Sequence, residues 1–229
     1  MEKLQTLFLD AGGVLVYPSW ERASTALEQE GIQVPASRLA AAEPRAKRAM
    51  DIPTDGTSDA SRGWLYFNQI LTHCGVAVGP ASEAALARLR EYHARHNLWE
   101  HVPVEVVPAL KQLRSLNLRL VVVSNSNGTL CAHLERLGLA AHFDHMLDSH
   151  DAGFEKPDPR LFQVALERAG ARAESTMHVG DLYHVDVVGA RAAGLRAALL
   201  DVGDLYAGFD CPRVRSLLAL ADAIQAGAL

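Results

Sequence analysis

Leu4-Gln5-Thr6-Leu7-Phe8-Leu9-Asp10-Ala11-Gly12-Gly13-Val14-Leu15 opens with a short apolar run that stops at a carboxylate and is followed at once by a glycine pair. A run of this length bounded by turn residues reads as a buried strand that delivers Asp10 to a flexible loop. Four later segments share the character: Leu118 to Val123 ending at Ser124, His145 to Leu147 ending at Asp148, Thr176 to Val179 ending at Gly180-Asp181, and Arg196 to Leu200 ending at Asp201. Between them lie segments with helical spacing, Val104 to Leu116, Leu130 to Leu137, Pro159 to Ala169 and His184 to Ala193, three of them stopped by Gly138, Gly170 and Gly194.

Strand and helix in alternation predict an α/β fold, a doubly wound, Rossmann-like parallel sheet covered on both faces. Right-handed crossovers then bring the C-terminal ends of all strands to one edge, where such sheets bind ligands. Asp10, Ser124, Asp148 and Asp181 are expected along that edge. From Tyr17 to about His96 the alternation fails and Ala, Glu and Arg dominate, with apolar residues at helical spacing. Helices are expected at Trp20 to Glu30, Ala36 to Met50, Gly63 to Cys74 and Ala81 to His96, with Asp51 to Thr57 as a loop. The reading is therefore a core domain of residues 1–16 and 97–229 and an inserted α-helical bundle of residues 17–96, a cap or lid over the first strand's site.

The chain has 229 residues, 49% of them apolar, with 22 basic and 27 acidic side chains and a net charge of −5. This composition excludes low-complexity disorder and gives no general support for nucleic-acid binding, which needs basic side chains to displace counterions. No apolar run approaches the roughly 20 residues of a membrane span, so no membrane partner and a cytoplasmic location are expected. Cys74, Cys131 and Cys211 are odd in number and widely spaced, which suggests reduced thiols and neither a disulfide framework nor a zinc site.

Four motifs taken in order resemble the haloacid dehalogenase-like hydrolase superfamily. They are Leu7-Phe8-Leu9-Asp10-Ala11-Gly12-Gly13, then Val121-Val122-Val123-Ser124-Asn125, then Lys156 in Glu155-Lys156-Pro157, and finally Val179-Gly180-Asp181 followed by Asp186. An insert after the first strand is similar to the helical C1-type cap of the superfamily's subfamily I. The resemblance implies Asp10 as nucleophile, and Mg²⁺ held by the Asp10 carboxylate, the Gly12 carbonyl and Asp181, with Asp186 just outside or acting through water. It also implies Lys156 neutralising Asp10 and phosphate, and Ser124 and Asn125 at the phosphoryl group. The chemistry agrees: a carboxylate can attack phosphorus in a two-step displacement, and an anionic nucleophile facing an anionic substrate needs cations beside it.

One position departs from the family. Phosphatase members carry a second aspartate two residues after the nucleophile, as general acid and base, and here that residue is Gly12. Three readings follow. The first is a Mg²⁺-dependent phosphatase of a small phosphorylated metabolite, with a leaving group that needs little protonation or an acid taken from the cap, His184 or water. The second is a metal-independent 2-haloacid dehalogenase, a class that also lacks the second aspartate. The third is a weakly active phosphate-binding or regulatory protein. Asp181 and Asp186 favour the first. In the insert, Lys47, Arg45, Arg48 and Arg62 are read as a solvated basic face, Trp64, Tyr66 and Phe67 as packing, and His93 and His96 as a surface helix end. A monomer or homodimer is expected.

Overall fold

Strand β1 (Thr6–Leu9) is buried along its whole length and sits in mid-sheet, between two partners that arrive much later in the chain. The computed structural model describes residues 2–53 and 59–229, the side chains of 59–63 excepted. In it the chain divides into two units, residues 1–16 with 102–229, and residues 17–101.

The first unit is built on a parallel six-stranded sheet in the order β3-β2-β1-β4-β5-β6. Its other strands are β2 (Arg119–Ser124), β3 (His145–Asp148), β4 (Thr176–Gly180), β5 (Arg196–Leu200) and β6 (Arg213–Val214). Leu9 is level with Val122 on one side and Val179 on the other. Because β1 has β2 on one flank and β4 on the other, the order of connection reverses there, and the crevice at that reversal opens beyond Leu9. Asp10 is the residue that occupies it, with its N–H bonded to the Val179 carbonyl at 3.0 Å.

Alternation along the strands decides what each face buries. Phe8, Val121 and Val123 face a cluster with Leu161, Phe162 and Ala165 of helix α8 (Pro159–Ala169) and with Val187 and Ala190 beside and in the short helix α9 (Val188–Ala192). On the other face lie α5 (Val106–Ser115) and α10 (Leu217–Gln225), joined where Gln112 donates to Asp222 and Gln225, both at 2.8 Å. Helix α6 (Leu130–Arg136) links β2 to β3, and a single turn, α7 (Ser149–Ala152), follows β3. The segment expected as one helix from His184 to Ala193 is instead a π-helical turn, Tyr183–Val187, running into α9. Such widened turns recur at functional sites. The structure also adds β6 and α10 after Asp201, where the sequence reading assigned no element.

The second unit comprises α1 (Trp20–Glu28), α2 (Ala36–Met50), α3 (Asp59–His73) and α4 (Pro80–His96). Trp20, Leu27, Leu39, Phe67, Ile70 and Leu86 form its apolar centre. The unit runs on past residue 96 through His101, because Tyr17 and His101 exchange backbone hydrogen bonds of 2.8 and 3.0 Å that tie its two ends together. Most of the expected loop Asp51 to Thr57 lies outside the described residues, as does the side chain of Arg62.

Candidate active site

The Lys156 ammonium is the centre of the site. It is 1% exposed, and its Nζ lies 2.9 Å from Asp10 Oδ2 and 2.7 Å from Asp186 Oδ1. Burial alone would push a lysine toward its neutral form. Here the two carboxylates outweigh that effect and hold it above its ordinary value, so the ammonium stays charged. The same contest runs at Asp186, where burial favours the neutral acid, but Lys156 and the His178 hydrogen bond bring it below the usual carboxylate range. Asp10 is oriented from its other oxygen, since Oδ1 accepts the Ala11 N–H at 2.7 Å.

Asp186 reaches this position from the π-helical turn, and three groups hold its carboxylate. Oδ1 receives Lys156 and lies 2.9 Å from His178 Nε2, while Oδ2 accepts the Leu182 N–H at 3.0 Å. Gly180 is required by this arrangement: a Cβ there would meet the Asp186 carboxylate at 2.0 to 2.4 Å. Gly189 plays a similar part behind the lysine, because a Cβ would come within 2.8 Å of the Pro157 backbone, which follows Lys156 through a cis peptide bond.

The lysine's own backbone is clamped by Asn125. The Asn125 Oδ1 accepts the Lys156 N–H at 2.7 Å, and its Nδ2 donates to the Lys156 carbonyl at 3.0 Å. The side chain expected at the phosphoryl group is thus committed to setting the base of the lysine. Ser124 ends β2, buried and in register with Asp148 on β3. Asp148 is structural: it accepts N–H groups from Gly128 and Leu130 at 2.9 and 3.2 Å through Oδ2, and from His150 at 3.0 Å through Oδ1. It therefore ties down the loop into α6.

Asp10, Asp181 and Asp186 bring one carboxylate oxygen each to within 4.8 Å of one another, the one metal-capable group of this kind among the described residues. All are hard oxygen donors without imidazole or thiolate, the ligand type of Mg²⁺ rather than zinc. Three carboxylates and one ammonium leave a formal charge of −2, which a divalent cation matches. The donor set fits.

In the helical unit the expectations divide. Tyr66 and Phe67 are buried, and Trp64 stacks on Phe67 at 5.2 Å, so these rings pack the unit. His93 accepts the Leu98 N–H at 3.1 Å and closes the end of α4. Lys47 departs from the solvated face expected of it: its side chain is 17% exposed and pairs with the buried Glu43 at 2.8 Å, which also accepts the Tyr66 hydroxyl. An i,i+4 partner on the same helix accounts for the difference.

A doubly wound sheet with a carboxylate and lysine centre at its switch point defines an α/β enzyme of the group-transfer or hydrolytic kind. The chain belongs to the haloacid dehalogenase-like hydrolase family, whose profile matches residues 4–194. It is 34% identical over 192 residues to haloacid dehalogenase-like hydrolase domain-containing protein 3 of Homo sapiens, covering 81% of this chain and 76% of that one. It is 39% identical over 140 residues to a phosphoserine phosphatase of Thermus thermophilus, covering 60% and 53%. Among solved structures, a 2-haloacid dehalogenase of Pseudomonas syringae pv. Tomato superposes with a TM-score of 0.59 at 26% identity, covering 99% and 100%.

His178 and the Asn125 clamp escaped the sequence reading. A polar residue inside an otherwise apolar buried strand, Met177-His178-Val179, was the available signal for the first. Lys156→Met should destabilise the protein by about 3–5 kcal/mol, the usual cost of orphaning a buried charge. Adding Asp186→Asn should recover part of that loss. Urea unfolding of the two variants and the wild type measures both, and a double variant no more stable than Lys156→Met would contradict the pairing.

Proposed function

We propose that the chain is a Mg²⁺-dependent phosphatase that hydrolyses a small phosphate monoester through an aspartyl-phosphate at Asp10. The observation that carries the reading is the convergence of the Asp10, Asp181 and Asp186 carboxylates on one another, with the buried Lys156 paired to Asp10 and Asp186. Displacement of halide needs no divalent cation, so three carboxylates placed to hold one favour the phosphatase reading over the dehalogenase. The phosphatase names among the relatives agree.

Asp10 and Asp181 would hold the metal, with the Gly12 carbonyl and, through water, Asp186. Bound there, Mg²⁺ supplies positive charge against the substrate's phosphoryl oxygens and the nucleophile. The chain's own residues do the rest. The Ala11 N–H and Lys156 fix the Asp10 carboxylate, and one of its oxygens forms a bond to phosphorus as the bond to the leaving oxygen breaks. The leaving oxygen departs with the electron pair and takes up a proton. Lys156 and the Ser124 hydroxyl stabilise the charge on the transferring group. Water then attacks phosphorus, loses a proton, and breaks the bond to Asp10, which returns as a carboxylate beside inorganic phosphate.

Gly12 places no acid next to the leaving oxygen. General acid catalysis is worth about 10²- to 10⁴-fold, so substrates with acidic leaving groups lose least by its absence. Wild-type protein should release phosphate from an aryl phosphate with Mg²⁺, and chelation by EDTA or Asp10→Asn should each bring the rate to background. Halide release from a 2-haloacid, unaffected by EDTA, would assign the dehalogenase reading instead. Gly12→Asp should raise kcat on an alkyl phosphate by up to about 10²-fold and much less on the aryl ester. Equal or lower rates on both, from a variant that melts like the wild type, would reject that account of the missing acid.

A further inference from the structure

We propose that His178 is a positioning residue, whose Nε2–H holds the Asp186 carboxylate so that Lys156 Nζ stays within reach of Asp10; the catalytic consequence rests on the phosphatase reading above.

His178 lies in the middle of β4, level with Phe8 of β1, and is completely buried. Its ring meets the edge of Phe162 at 4.9 Å on one side and Asp186 on the other. An ionised carboxylate only accepts hydrogen bonds, so the nitrogen 2.9 Å from Oδ1 carries the proton. Nδ1 is then a bare acceptor, and among the described residues it has no protein partner. Leaving a buried acceptor unpaired is costly, and a leucine or valine would fill the same strand position without that cost. What the imidazole supplies in return is one donor aimed at the oxygen that also binds Lys156.

The donor reaches Asp186 Oδ1 at 2.9 Å while Lys156 reaches the same oxygen at 2.7 Å, so the imidazole braces the carboxylate from β4 rather than from the lysine's own loop. Donors in this supporting position fix the rotamer of the group they touch, and their loss typically costs about 10- to 100-fold in activity.

The test compares His178→Gln, whose amide nitrogen can take the place of Nε2, with His178→Phe, which keeps the volume and removes the donor. On the aryl phosphate with Mg²⁺, the Phe variant should lose about 10- to 100-fold in kcat with KM little changed, and the Gln variant should recover most of it. Two readouts without metal or substrate separate this inference from the phosphatase reading. In the NMR spectrum of the metal-free wild type, His178 should carry a proton on Nε2, hydrogen-bonded to the Asp186 carboxylate. The Lys156 ammonium signal should move in the Phe variant and stay in place in the Gln variant. An Nε2 without a proton, or a Lys156 signal indifferent to the Phe substitution, overturns the proposal even if the enzyme is active. If no phosphate is released by the wild type, the phosphatase reading fails, and the NMR result still decides the role of His178. Should His178→Phe not fold, His178→Asn, too short to reach Asp186, replaces it.

Discussion

Burying the Lys156 ammonium is the constraint on which the rest of the first unit depends. An isolated charge at that depth would lose several kcal/mol of hydration, so it persists only with carboxylates on it and with their remaining lone pairs satisfied. Asp10 and Asp186 meet the first condition at 2.9 and 2.7 Å, and the Ala11 and Leu182 N–H groups and His178 meet the second. Those partners come from three separate segments, the end of β1, β4 and the π-helical turn with the residue before it, and the lysine comes from a fourth. The ion cluster thus requires β1, β4, the π-helical turn and the loop before α8 to be in place together.

The surrounding backbone is shaped to the same end. Asn125 at the end of β2 grips both backbone polar groups of Lys156, which couples the lysine to the sheet edge rather than to its own loop. Gly180 leaves room for the Asp186 carboxylate, and Gly189 lets the start of α9 close on Pro157. These glycines are explained by close approach, since the space a methyl group would need is already taken. The widened turn at Tyr183–Val187 belongs to the same solution, because Asp186 sits in it and bonds back to Leu182 through both its carboxylate and its N–H.

Much of this was legible in the residues because the physics was local. The apolar run into Asp10, and its counterparts before Ser124 and Asp181, announced buried parallel strands with chemistry at their ends, and five of the six strands fall where the patterns put them. The two-residue β6 is too short to show a pattern, and its pairing with β5 is a tertiary matter. What single residues do was harder to read. Asn125 looked like a phosphate ligand from its place after Ser124, yet its partner lies 31 positions away. Lys47 looked solvated because its neighbours are arginines, although Glu43 stands four positions before it on the same expected helix; the Asn125 contact is of another kind. Spacing cannot reveal a contact that the packing of separate elements creates.

The chemical claim is that this buried ion cluster prepares Asp10 to carry a phosphoryl group. Rapid quenching of the wild-type protein in acid during turnover of an aryl phosphate, followed by peptide mass analysis, reads that step directly. The account predicts one added phosphoryl group on the peptide that contains Asp10, appearing before steady-state phosphate release and absent from Asp10→Asn. Phosphate release with no modified peptide, or with the phosphoryl group on another residue, would contradict it.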